Sequence, residues 1–390
     1  MDLFSSPPPL APPTPEGDRL ARLRLLRSRR VGPKTYRRLL HQSGGDPHAA
    51  LDALPGIARK AGMGEYRPCS RGEAEAELEA GRAAGARLIH EGDPDWPPGL
   101  ADLAEAPPML WARGPGLPCL FRRSVAVVGA RNASSLGLRM ARKLCGELAA
   151  EGLTIVSGLA RGIDAEAHRC ALQTGTVAVV AGGVDVVYPK ENAELTDQIA
   201  SSGLILSEMP CGMRPQARHF PRRNRLVAAL AEAVLVIEAA ARSGSLITAR
   251  NAGELGRDVL AVPGHPLDGR AEGCNLLIRE GATLIRRVED VMEALTPLSC
   301  RKGETARDKG KAEAGPTRTA PPVARQTPDS GEAVVRTRIL ALLGPSPVAE
   351  DQVIRDLGLP ARQVGAALVA LELGGEVERL PGGLLARRKG

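Results

Sequence analysis

The segment VAVVGARNASSLGLRMARKLCGELAAEGLTIVSGLARGID, residues 125–164, decides the fold. It opens on a short apolar, β-branched run, VAVVGA (125–130). It continues with a helical pattern over Gly137–Ala150 and returns to a second run, TIVSGL (154–159). Runs that are apolar throughout, rather than at every second residue, are strands covered on both faces. A helix between two of them is a crossover joining parallel neighbours.

The alternation continues outward. Further runs are TVAVVAGG (176–183), GLILSE (203–208), AVLVIEA (233–239), DVLAVPG (258–264) and ATLIRR (282–287). Helical patterns over Gly162–Gln173, Glu191–Ala200 and Gly244–Leu255 lie between them. RLIHEGD (87–93) adds an edge strand upstream. The expectation for residues 86–298 is an α/β, Rossmann-like domain: a mostly parallel sheet of seven or eight strands with helices on both faces. Aromatics are only 2 % of the chain, so its core must be built from Ala, Val, Leu and Ile.

The flanks read differently. Residues 1–18 hold six prolines and read as a disordered tail. Over residues 19–85 short helices carry Leu20, Leu23, Leu26, Leu39 and Leu40, with breaks expected at V31-G32-P33 and L54-P55-G56. Gly-containing turns between short helices suggest a SAM-like or helix-hairpin-helix module able to offer backbone N–H groups to phosphates. A plain helical adaptor with a solvated basic face fits the same residues. Residues 299–330 lose apolar periodicity and read as a flexible linker. Residues 331–390 give helices over Ala333–Leu343, Glu350–Asp356 and Ala361–Leu373, then two strands around P-G-G. This is a winged-helix pattern. Its third helix carries one Arg, Arg362, so a protein contact suits it as well as a DNA groove does.

Charge narrows the partner class. The net charge is +7, with nine basic residues and no acid over Arg19–Arg38 and five Arg and no acid over Arg214–Arg225. An anionic partner follows. No run reaches the ~18 apolar residues of a membrane span, and the N-terminus has no secretory pattern, so a cytoplasmic protein with no membrane contact is expected. The seven Cys are scattered without a C-x-x-C pair, which argues against a disulfide framework or a zinc site.

In open parallel sheets ligands meet the loops after the strands. The first, G129-A-R-N-A-S134, lacks two of the three glycines of a dinucleotide fingerprint. The second strand closes on Ser157-Gly158 rather than an acid, so no nicotinamide cofactor is expected. Gly129 permits close approach, and Arg131 offers a guanidinium fork to a phosphate. The second loop, from Ser157 and Gly158 to Asp164, supplies small residues, Arg161 and a helix N-terminus, again suited to an anion. In R214-P-Q-A-R-H-F-P-R-R-N-R225, Phe220 is one of only two aromatics beyond Arg122, the other being Tyr188. It stands among Arg218, His219, Arg222, Arg223 and Arg225. Cations to follow a backbone, with a π-face for a base, are what single-stranded nucleic acid requires. A core plug under a loop is the plainer role for Phe220. Ser243, Gly244 and Ser245 open another helix as a further anion-binding turn. The acids Asp164, Asp185, Glu208 and Glu238 form no close pair, and no Walker A, nucleophile elbow or metal spacing appears. Binding is therefore expected rather than turnover, with no catalytic residue, metal or cofactor.

Taken in order, VAVVGARNAS (125–134), SGLARGIDAEAH (157–168), VDVVYPKEN (184–192), SEMPCGMRP (207–215), HFPRRNRLVAAL (219–230) and EAAARSGSLITA (238–249) are similar to the DNA-processing protein A (DprA/Smf) family. AGELGRDVLAVPG (252–264) and GCNLLIREGATLI (273–285) extend the likeness, and the flanking modules match the family's three-domain form. The resemblance implies a homodimer that binds single-stranded DNA and loads RecA onto it during natural transformation, displacing single-strand-binding protein. It also implies a DNA path lined by Arg131, Arg161, Phe220, Asn224, Arg225 and the Ser243–Ser245 turn. Members often carry a Lys three residues before the Phe, where this chain has Ala217 beside Arg218. The alternative is a nucleotide-hydrolysing phosphoribohydrolase, but R242-S-G-S-L-I-T-A lacks that group's P-G-G-x-G-T-x-x-E segment.

Overall fold

A computed structural model of the chain describes residues 16–62, 65–296, 332–343, 347–380 and 384–387. The Pro-rich stretch before Glu16 and the stretch read as a linker lie outside the described residues. Four helices come first: α1 (Glu16–Arg27), α2 (Pro33–Gln42), α3 (Pro47–Lys60) and α4 (Arg71–Ala83). The break expected at L54-P55-G56 does not occur, because Leu51, Leu54 and Ala58 form one buried stripe that carries α3 through Pro55. Their core takes in Met109 from the following sheet.

Four of the nine basic residues of the run over Arg19–Arg38 pair with acids. Arg19 pairs with Asp93 at 2.9 Å, Arg27 with Glu77 at 2.7 Å, Lys34 with Glu105 at 2.6 Å and Arg37 with Glu91 at 3.1 Å. These contacts fasten the helices to the chain that follows.

The sheet has nine strands, more than the seven or eight expected. They are β1 (Ala86–His90), β2 (Met109–Arg113), β3 (Ser124–Gly129), β4 (Thr154–Ser157), β5 (Thr176–Val179), β6 (Leu204–Ser207), β7 (Ala233–Ile237), β8 (Asp258–Ala261) and β9 (Thr283–Leu284). Their order is β1-β2-β6-β5-β4-β3-β7-β8-β9. From β6 to β9 every pair is parallel, while β1–β2 and β2–β6 are antiparallel. The unexpected strand, β2, is an antiparallel insertion with no crossover helix to signal it.

The pleat divides each central strand between two cores. On β3, Val125 and Val127 face α5 (Ser135–Ala150) and α6 (Ile163–Ala171), whereas Ala126 and Val128 face the opposite layer. That layer contains α8 (His219–Ala229), α9 (Ser245–Glu254) and α10 (Glu272–Arg279). Helix α7 (Ala193–Ser202) precedes β6, and α11 (Val288–Ala294) closes the domain. Within the segment 214–225 the chain becomes helical at His219. Pro221 lies in the first turn of α8, where an N–H has no intrahelical partner to lose.

The last group is α12 (Glu332–Leu342), α13 (Glu350–Leu357), α14 (Ala361–Leu373) and a three-stranded sheet of β10 (Val348–Ala349), β12 (Leu384–Arg387) and β11 (Val377–Leu380). It docks on the start of α5: the Ser135 hydroxyl donates to Asp356, and Arg270 donates to the carbonyls of Ala341 at 2.6 Å and Leu343 at 3.0 Å.

His168 sits beneath the β4–α6 loop, fully buried. Thr176 Oγ1 donates to the Ile155 carbonyl at 3.0 Å, so His168 Nδ1–H donates to that hydroxyl at 2.7 Å and Nε2 is the bare nitrogen. Burial holds the imidazole well below its usual 6.5, at about 3, and lowers His90 to about 4. As pH falls below 6.5 the unfolded chain takes up these protons first. Stability should decline by about 1.4 kcal/mol per pH unit per histidine, down to about 4 for His90 and 3 for His168. His168→Gln should remove one histidine's share of that slope, read from urea unfolding midpoints between pH 7 and pH 4.

Candidate nucleic-acid interface

The winding of the sheet reverses between β3 and β7, so the ordinary ligand crevice of such a fold lies where these two strands end. Here Glu238 occupies much of it, leaving a small pocket of about 100 Å³ beside Ser134 and Pro263. Glu238 follows β7 with φ +50°, a left-handed conformation uncommon for a residue with a Cβ. Its carboxylate accepts from the Ser134 N–H at 2.8 Å and from the Ser134 hydroxyl, at the first turn of α5. Gly137 makes room, since a Cβ there would overlap the carboxylate. Gly129 serves the same packing: its close neighbours are the Ile237 carbonyl and Ile163.

The large concavity lies one strand over, beyond β3, β4 and β5. It is a cleft of about 800 Å³ walled by the loops after those strands, by residues 186–191 and by the start of α8. Arg131, Arg161, Lys190, Arg214 and Arg223 line it against a single lining acid, Glu191, which Arg161 meets at 3.5 Å. Local bonds hold the walls: Ile163 N–H donates to the Ala130 carbonyl at 3.2 Å. The buried Asn192 amide donates to the carbonyls of Leu159 at 3.0 Å and Ala160 at 3.2 Å.

Phe220 projects from the first turn of α8 into this cleft. The Arg131 guanidinium carbon stands 5.5 Å from its ring centroid, and the Tyr188 ring lies 5.8 Å away at a 54° tilt. Tyr188 is 48 % exposed. The cation–π geometry steadies Arg131 while leaving its N–H groups free to point outward.

Arg223, three residues beyond Phe220, falls on the same helix face. It is only 6 % exposed, and its guanidinium packs where a Cβ on Gly158 would lie. Nε has no hydrogen-bond partner among the described residues. Its counter-charge is the buried Asp164, which accepts from the N–H groups of Gly158 and, at 3.3 Å, Ala160. Burial raises the Asp164 carboxyl above its usual range, opposed by Arg223; burial likewise lowers Arg223, opposed by Asp164.

The structure thus brings Arg131, Gly158, Arg161 and Phe220 together and adds Tyr188, Lys190, Arg214 and Arg223. Other residues singled out from the sequence lie elsewhere. Ser157 turns its hydroxyl to the Val127 carbonyl at 2.6 Å, inside the sheet. Arg222 and Arg225 both donate to Glu208 at 3.1 Å, and Arg225 also meets the Glu105 carbonyl. Arg218 is exposed just before α8. Asn224 donates to the Gly244 carbonyl at 3.3 Å, joining α8 to the turn where the Ser243 and Ser245 hydroxyls stand 2.6 Å apart. That turn is a second cluster on the other flank of α8. The spacing of residues 220 and 223 within a helix is the signal that separates Arg223 from its neighbours.

Comparison with known proteins follows from this geometry. Residues 87–296 match the family described as DNA recombination-mediator protein A, residues 16–80 a DprA-like N-terminal HHH domain and residues 320–383 a DprA winged helix domain. Protein Smf of Synechocystis is 36 % identical over 337 residues, 80 % of this chain and 82 % of that one. DNA processing protein DprA of Streptococcus pneumoniae is 48 % identical over 202 residues, 51 % of this chain and 71 % of that one. The X-ray structure of the S. pneumoniae protein superposes with a TM-score of 0.60 at 34 % identity, covering 70 % of this chain and 97 % of that one. The Helicobacter pylori protein, described in its single-stranded DNA binding mode, gives 0.50 at 30 % identity, covering 54 % and 95 %.

Because the Arg223 side chain occupies the Cβ position of Gly158, Gly158→Ala should force it aside. The displaced atoms are the end of a long side chain, so the cost in urea unfolding should stay within about 1 kcal/mol; a loss of about 3 kcal/mol or more would refute this packing.

Proposed function

The chain belongs to the DNA recombination-mediator protein A family, and on that footing we propose that it is a non-catalytic, single-stranded-DNA-binding recombination mediator. The observation that carries the proposal is the cleft in which Phe220 stands against Arg131 among five cations and one acid. Phosphates running over Arg131, Arg161, Lys190 and Arg214 gain charge-assisted hydrogen bonds. An unstacked base gains the faces of Phe220 and Tyr188. Neither contact reads a base edge, so little sequence preference is expected.

Binding is supported over turnover by what the four candidate acids do. Glu238 is held by Ser134, Glu208 by Arg222 and Arg225, Asp185 by the Gly212 N–H at 2.8 Å, and Asp164 by its own loop. Each carboxylate is committed to a donor of the fold.

The mediator role places this protein in the cytoplasm, coating incoming single strands as a homodimer, displacing single-strand-binding protein and loading RecA. Support comes from membership of the recombination-mediator family and, for single-strand binding alone, from the H. pylori relative described in its single-stranded DNA binding mode.

The test is an ionic-strength series on a single-stranded oligonucleotide and its duplex. Affinity for the single strand should exceed that for the duplex and fall steeply with salt. Arg131→Ala should reduce the log–log salt slope by about 0.7, one phosphate contact on a single strand. Phe220→Ala should cost about 1–3 kcal/mol with the slope unchanged. Unaltered affinity in both variants would place the DNA path outside this cleft.

A further inference from the structure

Resting on the single-strand reading above, we infer that the floor of the cleft, at Arg223, seats the terminal phosphate monoester of a DNA strand. Arg223 is 6 % exposed, and its Nε is without a hydrogen-bond partner among the described residues. The neighbouring Asp164 supplies a counter-charge, but it makes no hydrogen bond or ion pair with Arg223 among the described residues. A buried guanidinium donor left unmade is costly unless an anionic oxygen reaches it.

Position selects which oxygen does. The guanidinium lies tight against Gly158, below the rim that carries exposed Arg131, Arg161 and Arg214. A phosphodiester inside a strand has a nucleotide on each side, and both must travel with it, so it suits the rim and Phe220. A monoester at a strand end projects alone and reaches the floor. It carries close to two negative charges where a diester carries one, and the lining supplies five cations against one acid. The attraction is also stronger at the floor than at the wet rim, because the effective dielectric is lower there.

The full chain is titrated with one oligothymidylate bearing a 5′-phosphate, a 3′-phosphate or hydroxyls at both ends, and with dTMP and thymidine as competitors. A phosphate at one of the two ends should tighten binding about tenfold or more. Arg223→Gln should abolish that gain while Arg223→Lys keeps part of it, and dTMP but not thymidine should compete. Equal affinity for all three oligonucleotides overturns the inference, and so does competition by dTMP with no end effect, which would make the floor a free-nucleotide site. The wild-type arms decide the matter even if the Arg223 variants fail to fold. Salt-sensitive binding of the hydroxyl-ended strand that Phe220→Ala weakens would then leave the single-strand reading standing. Loss of single-strand binding altogether would remove both.

Discussion

The carboxylate of Glu238, seated on the first turn of α5, decides where on this sheet an anion can go. A parallel sheet that reverses its winding opens a crevice at the switch point, and the helix beginning there points its free N–H groups and dipole into it. In this chain the crevice between β3 and β7 already holds an anion, bonded to Ser134 and accommodated by Gly137. The backbone at Glu238 is held at φ +50° to place it there, a conformation that persists only where the surroundings enforce it. The large cleft and its arginines lie instead at the loops of β4 and β5.

The cleft follows from a second electrostatic choice, the burial of Arg223 against Asp164. A buried pair of this kind contributes little to stability, because the cost of dehydrating both charges consumes the attraction between them. It does fix geometry. Gly158 must be without a side chain, Asp164 must be held by its own loop, and α8 must start where Phe220 and Arg223 share a face. A guanidinium kept dry and incompletely bonded is more useful to an incoming phosphate than to the empty protein.

Much of the fold was legible, and the reason is physical. Strands such as VAVVGA and AVLVIEA are covered on both faces, so their apolar runs are continuous, and the helices between them announce parallel crossovers. β2 gave no such sign, because MLWAR pairs antiparallel to β1 and β6 at the sheet's edge. α8 was hidden by Pro215, Pro221 and its density of Arg, all signals of a loop. The site was legible in composition but not in orientation. Arg131, Arg161 and Phe220 announced themselves as cations and a lone aromatic. Arg222, Arg223 and Arg225 look alike in a row, yet the helix turns 222 and 225 toward Glu208 and 223 into the cleft. Rotation about a helix axis is invisible until the helix itself is recognised.

The same sorting applies to the whole charge of the protein. A net +7 suggests a diffuse basic surface, but four of the nine cations in the longest basic run meet Asp93, Glu77, Glu105 and Glu91. In the winged-helix group Arg379 is held by Glu350 at 2.6 Å and Glu372 at 2.8 Å. The exposed face of α14 offers Arg362 beside Ala366 and Val369, too few cations to follow a phosphate backbone. Cations facing their own acids release few counterions to an incoming strand, because they are already neutralised. In the cleft Arg161 meets Glu191 and Arg223 has Asp164 as its counter-charge, but Arg131, Lys190 and Arg214 have no ion-pair partner among the described residues, and concave walls concentrate their field. On the proposed reading, the cleft supplies the larger electrostatic part of strand binding.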